Sequence, residues 1–289
     1  MRFRLEYGAV LVVRALVGVA PWPVVRAVGR SLGLLFYLLD RKHRQVTLDN
    51  LARAFPARSA RERRGIARRV FGHFGRLLFD LIKFSTLTRD EMLARVEFEG
   101  DERIVQAQAS GCGYFIFSGH FGFWELQALV HALRLGPLGM MVRPLNNPYL
   151  DALLTKVREA TGNTVIDRSG GVRRVLRELQ ANHGVAVLID QHIHTPDAVY
   201  VDFFERPAAT TSLLGALARR TGAAAVPVFS IPLPDGRYRM IYDHPVPPPK
   251  DESREELVAF TQRCTDVLEM YVRRHPDLWL WMHRRWRDV

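Results

Sequence analysis

Two cysteines, Cys112 and Cys264, are all that 289 residues contain. A disulfide framework is therefore excluded, neither cysteine has the close-spaced partner of a zinc knuckle, and a reducing compartment fits. Lysine is nearly as scarce, supplying 4 of the 41 basic residues. With no zinc finger, RNA-binding aromatic signature or heptad zipper either, the positive charge points away from nucleic acid. There is no internal repeat and no low-complexity linker. The most apolar segment, Gly8 to Leu39, is broken by Arg14, Pro21, Pro23, Arg26 and Arg30. It thus lacks the roughly 18 uninterrupted apolar residues that argue for a spanning helix. Ser118 lacks a G-x-S-x-G elbow and Cys112 precedes its strand, so neither reads as a hydrolase nucleophile.

What is present is a lopsided charge. Residues 1–89 hold 18 Arg and Lys against 5 Asp and Glu, whereas residues 90–289 hold 23 against 25, so the net charge of +11 belongs to the first third. There it adjoins the apolar segment, in which Trp22, Phe36 and Tyr37 sit among aliphatics and Arg41, Lys42 and Arg44 follow. This is the composition of helices lying in a bilayer interface over anionic head groups. A single spanning helix is the less favoured alternative, and plain packing of the helices on the domain is another. A cleaved signal peptide is disfavoured because Arg14 interrupts its apolar run and a basic segment follows. The expected division is a helical membrane-association region, residues 1–90, and a catalytic domain, residues 91–289.

From Ser59 to Phe84 apolar residues recur at three and four, and Ser59 with Glu62 has the spacing of a capping box, which predicts a helix. Beyond Arg95, short apolar runs alternate with amphipathic stretches, the pattern of an α/β fold whose central sheet is mixed but largely parallel and flanked by helices. Expected strands include 114–118, 140–143, 164–167, 185–190, 224–231 and 237–242, with helices over 123–135, 148–161, 171–182, 210–220 and 253–275. Gln191–Ala209 reads as a long polar loop.

The chemistry concentrates in SGHFGFWE, residues 118–125. His120 falls in the turn between an apolar strand and a helix, and Glu125 in the first helical turn, a common place for active residues. Five residues apart in a regular helix, the two side chains diverge by about 140 degrees. They meet only if His120 stands at or before the helix start. Glu125 could then accept a hydrogen bond from one imidazole nitrogen, leaving the other to remove a hydroxyl proton as oxygen attacks an acyl carbonyl.

Alongside this motif stand NLARAFP at 50–56, RPLNNPYLD at 143–151, DQ at 190–191, DFFERPAAT at 202–210, ARRTGAAAVPV at 218–228 and WLWMHRRWR at 279–287. In these ordered motifs the chain resembles the lipid A biosynthesis (lauroyl/myristoyl) acyltransferases and their relatives that acylate other lipids and glycolipids. The resemblance implies a glycerolipid-acyltransferase-like fold at the cytoplasmic face of a bacterial inner membrane. It further implies acyl-carrier protein or coenzyme A thioesters as donors, a lipid hydroxyl as acceptor, and catalysis by His120 and Glu125. No cofactor is called for.

Arg143, held before Pro144, is the candidate to bind an acceptor phosphate bidentately, with a structural ion pair as its alternative. Asn147 is a weaker candidate nearby. Asp190 and Gln191 end an apolar strand where polar site groups gather in open sheets, and Asp190 could hold a loop or Arg143. His192, His194 and Asp197 lack a counterpart to complete a metal site. Glu205 stands where the family commonly has glycine and adds a carboxylate near the expected acceptor site or merely to the surface. The C-terminal tryptophans and arginines read either as an interfacial patch or as core closure. Two rivals to acyl transfer remain at this level: a non-catalytic lipid-binding membrane protein, and a thioesterase or lipid hydrolase.

Overall fold

A computed structural model describes all residues except 168, 196, 197, 288 and 289. Its sheet is built outward from β2 (Tyr114–Ser118), whose YFIFS sequence is buried throughout, as expected of a strand covered on both faces. β2 pairs in parallel with β5 (Gly184–Leu188) and β8 (Ala224–Pro232). From β5 the parallel run continues through β3 (Leu138–Val142) to β4 (Thr164–Asp167). On the other side, β8 pairs antiparallel with β9 (Tyr238–Tyr242), which lies parallel to β1 (Val96–Glu99). The order is β1-β9-β8-β2-β5-β3-β4. Five adjacent strands therefore present their carboxyl ends along one rim, where open α/β sheets hold ligands.

Side-chain alternation on β2 divides the core. Phe115 and Phe117 join a cluster containing Val175, Leu179, Leu214 and Phe260, whereas Tyr114 and Ile116 join Leu126, Val130 and Met140. The first face is covered by α9 (Val172–Gln180), α10 (Leu213–Thr221) and α11 (Arg254–Arg274), and the second by α7 (Trp124–Arg134). α8 (Pro148–Glu159) lies further out and has no fully buried residue. Short helices at Arg89–Leu93 and Glu102–Gln108 flank β1.

The supposed loop 191–209 holds most of an antiparallel hairpin of Ala198–Asp202 and Pro207–Thr211, whose second strand runs into the first residues of the expected helix 210–220. Its first strand alternates between buried and exposed residues as a half-covered strand should. At its tip the Phe203 N–H donates to the Arg206 carbonyl at 2.9 Å, and Phe204 and Glu205 both take positive φ, 55° and 59°. That conformation normally calls for glycine or asparagine, which is why the turn left no sequence signal.

The first 84 residues form four long helices: α1 (Arg2–Val19), α2 (Trp22–Leu39), α3 (Arg41–Ala54) and α4 (Ala60–Phe84). The Ser59–Glu62 capping box at the start of α4 is formed as read. α2 crosses α4 with backbones almost touching: a Cβ on Gly33 would run into the Phe71 carbonyl, and one on Gly75 into Gly29 and Gly33. Fully buried Asp80 of α4 accepts from Arg26 of α2 at 3.3 Å, lies 3.6 Å from the Arg76 guanidinium, and also bonds the Tyr238 hydroxyl of β9. Breaking such a buried ion pair from one side costs about 3–5 kcal/mol. α2 is bolted to the body even though its length and hydropathy would allow it to cross a membrane.

Candidate active site

At the carboxyl end of β2 the chain turns through Gly119, where a Cβ would come within 2.8 Å of Asp190 Oδ2 and 2.9 Å of Leu268. Only glycine lets the turn sit against Asp190, which follows neighbouring β5. The His120 backbone N–H donates to Asp190 Oδ2 at 2.7 Å, and His120 Nδ1 meets Oδ1 at 2.8 Å. Oδ2 also accepts the Trp279 indole N–H at 2.8 Å. A carboxylate next to Nδ1 fixes the tautomer, placing the proton on Nδ1 and the lone pair on Nε2. Gln191 offers its side-chain nitrogen 3.4 Å from Nε2, and the Trp124 ring stands edge-on at 5.2 Å.

Burial opposes the charged form of both partners, and pairing overcomes it in both. Asp190 is completely enclosed, yet the His120 charge and hydrogen bonds, with a further contribution from His283, hold its carboxyl far below the usual range. For His120 burial works against protonation, but the Asp190 charge and hydrogen bond, and secondarily the charge of Glu125, raise its pKa above the ordinary 6.5.

The expected hydrogen bond between His120 and Glu125 is not formed. Glu125 is instead gripped by Arg158 of α8, Nη2 to Oε1 at 2.5 Å and Nε to Oε2 at 2.9 Å. The guanidinium matches both carboxylate oxygens at once, while the imidazole Nδ1 is turned toward β5. Glu125 therefore acts on His120 only through space.

Arg143 follows β3 on the same rim as His120 and Asp190; it is exposed and makes no ion pair among the described residues. Asn147 is not offered to a ligand. It is buried, its Oδ1 caps α8 by accepting from Tyr149 and Leu150, and its Nδ2 donates to the Phe3 carbonyl and Glu6. Glu205 sits exposed at the hairpin tip. The His192 and His194 rings meet edge to face with centroids 4.3 Å apart, Asp197 lies outside the described residues, and no group of three metal-ligating side chains occurs among the described ones. The C-terminal segment closes the core: Trp279, Trp281, Arg285 and Trp286 are all buried. Burial pushes the Arg285 guanidinium down to about 10, with the Asp190 charge opposing.

Sequence reasoning singled out His120, Asp190 and Gln191 but not their mutual contact; it missed Arg158, and it read Trp279 only as part of an interfacial patch or of core closure, not as a partner of Asp190. Arg158 is an ordinary basic residue in the last turn of a helix, and carried no signal.

From residue 3 to residue 288 the chain matches the family model for bacterial lipid A biosynthesis acyltransferases, and the protein is an acyltransferase. It belongs to the bacterial lipid A biosynthesis acyltransferase family. Over 270 residues it is 29% identical to the lipid A biosynthesis lauroyltransferase of Escherichia coli (strain K12), covering 92% of this chain and 86% of that one. It is 25% identical over 218 residues to a phosphatidylinositol mannoside acyltransferase of Mycobacterium tuberculosis, covering 74% and 67%. A solved 1-acyl-sn-glycerophosphate acyltransferase from Thermotoga maritima superposes on 85% of this chain and 97% of its own, at 15% identity and a TM-score of 0.39.

Proposed function

We propose that the protein moves a fatty acyl chain from an acyl-carrier protein or coenzyme A thioester to a hydroxyl of a lipid or glycolipid acceptor of the lipid A precursor kind. His120 is the general base. The observation that carries this reading is the His120–Asp190 pair, with Nδ1 committed to a buried carboxylate and Nε2 left with its lone pair. Nε2 takes the acceptor's hydroxyl proton as the oxygen attacks the thioester carbonyl, and Asp190 stabilises the resulting imidazolium. Collapse of the tetrahedral intermediate expels the thiolate, which the imidazolium protonates. No covalent acyl-enzyme is needed.

Glu125 supports the reaction from a distance by adding negative potential at His120 while Arg158 holds it in place. Arg143, exposed on the same rim, is the proposed contact for an acceptor phosphate, and Gln191 lies beside the reacting nitrogen.

Residues 1–90 are the proposed membrane seat of an acyltransferase domain spanning residues 91–289. Of the 20 large hydrophobic residues that stand exposed among the described residues, 14 lie within residues 1–39. Val24, Val28, Leu32, Leu35 and Phe36 line the outward side of α2, while the glycine crossing and Asp80 hold its other side to the body. These features favour a helix lying in the interface of the cytoplasmic leaflet of a bacterial inner membrane over one that crosses it.

The test is to incubate the protein in membranes with labelled acyl thioester and candidate acceptors, and to compare it with His120→Ala. Labelled acceptor should disappear in the variant; full transfer by that variant would sink the mechanism. Free fatty acid released without any acceptor would reassign the protein as a thioesterase.

A further inference from the structure

The WLWMHRRW segment does more than fill the core, because it runs back along the catalytic turn. Gly122 N–H donates to the Leu278 carbonyl at 2.9 Å and Leu280 N–H to the His120 carbonyl at 3.0 Å, and Phe121 and Trp279 form an antiparallel bridge. His283 Nε2 lies 3.2 Å from the Asp190 carbonyl. The segment is itself anchored, since the Asn50 side chain donates to the carbonyls of Trp281 and His283 and Arg285 to that of Ala209. It is a strap that ties the turn after β2 to the turn after β5.

Within this strap Trp279 alone puts a side-chain N–H on the Asp190 carboxylate. Oδ2 then has two donors, the Trp279 indole and the His120 backbone, leaving Oδ1 for the imidazole. We infer that Trp279 is a positioning residue for acyl transfer, which locks the Asp190 carboxylate in the orientation and with the basicity that His120 requires. The inference rests on His120 being the base.

The titratable and charged groups around His120 are Asp190 after β5, Glu125 on α7, and His283 and Arg285 on the strap. Removing the indole N–H leaves the Asp190 charge less dispersed, so it holds the imidazolium more tightly. His120 then deprotonates at higher pH.

The direct test is Trp279→Phe in the full-length protein, with folding checked by thermal unfolding. The acid limb of the kcat/KM pH profile should move up by about half a unit, the equivalent of one modest hydrogen bond, and kcat should fall about tenfold with KM for both substrates unchanged. A folded variant with the wild-type pH profile overturns the proposal. If the variant does not fold, the wild-type protein supplies the answer through the Trp279 indole N–H resonance. That resonance should shift as His120 titrates and stay flat in His120→Ala; one that ignores the His120 titration overturns the proposal. Full transfer by His120→Ala would fail at the earlier step, removing the base on which Trp279 is inferred to act.

Discussion

Two carboxylates flank His120, the proposed base, and the regions that hold them treat them in opposite ways. At the β2–β5 rim Asp190 is enclosed and spends its oxygens on an imidazole, a backbone N–H and an indole. In the α7–α8 seam Glu125 spends both oxygens on one guanidinium. The rim orients a titrating group, and the seam balances a fixed charge. What separates the two roles is the partner that geometry supplies, since both are acidic residues buried near the same histidine.

Substitutions should widen or erase that contrast. His120→Ala, which removes the group served by both regions, should lower transfer by about a thousandfold or more, measured with labelled thioester. Asp190→Asn should follow with a loss of about a hundred- to a thousandfold at unchanged fold, because the neutral amide can favour the wrong tautomer and cannot stabilise imidazolium; a loss under threefold would break the rim's claim. Glu125→Gln should act first on stability, by about 3 kcal/mol in denaturant unfolding, because it strands Arg158 without its partner. Adding Arg158→Met should recover most of that loss.

The pH profile sharpens the contrast further. General-base activity needs neutral His120, so kcat/KM should rise with pH through a value above 6.5, the direction set by Asp190 and Glu125. In the doubly substituted Glu125→Gln, Arg158→Met protein both fixed charges are gone, and any residual displacement of that limb measures how far the seam's balance reaches His120. Smallest is a change outside both regions. Glu205→Gly, which relieves a glutamate held at φ 59°, should raise stability by about 1 kcal/mol with transfer unaffected.

Much of the sheet was legible because its strands are continuous apolar runs: YFIFS and TVID have the boundaries that their pattern predicts. The hairpin was not, since Phe204 and Glu205 occupy turn positions where glycine would have announced it. His120 and Asp190 were each visible at strand ends, but their contact depends on β5 lying next to β2, a neighbour relation that periodicity does not encode. Proximity in sequence therefore favoured Glu125 as the partner. Asn147 was misread despite a usable signal, because asparagine immediately before a proline is a helix start, with the proline at the first helical position.

The crossing of α2 on α4 bears on how this protein can be handled. A greasy N-terminal helix invites removal to obtain a detergent-free fragment, yet deleting α2 would bare the Gly75 groove and leave Asp80 without Arg26 beneath the sheet. Water solubility has to be engineered by repainting the outward residues of α2, such as Val28, Leu32 and Leu35, with the helix itself left in place.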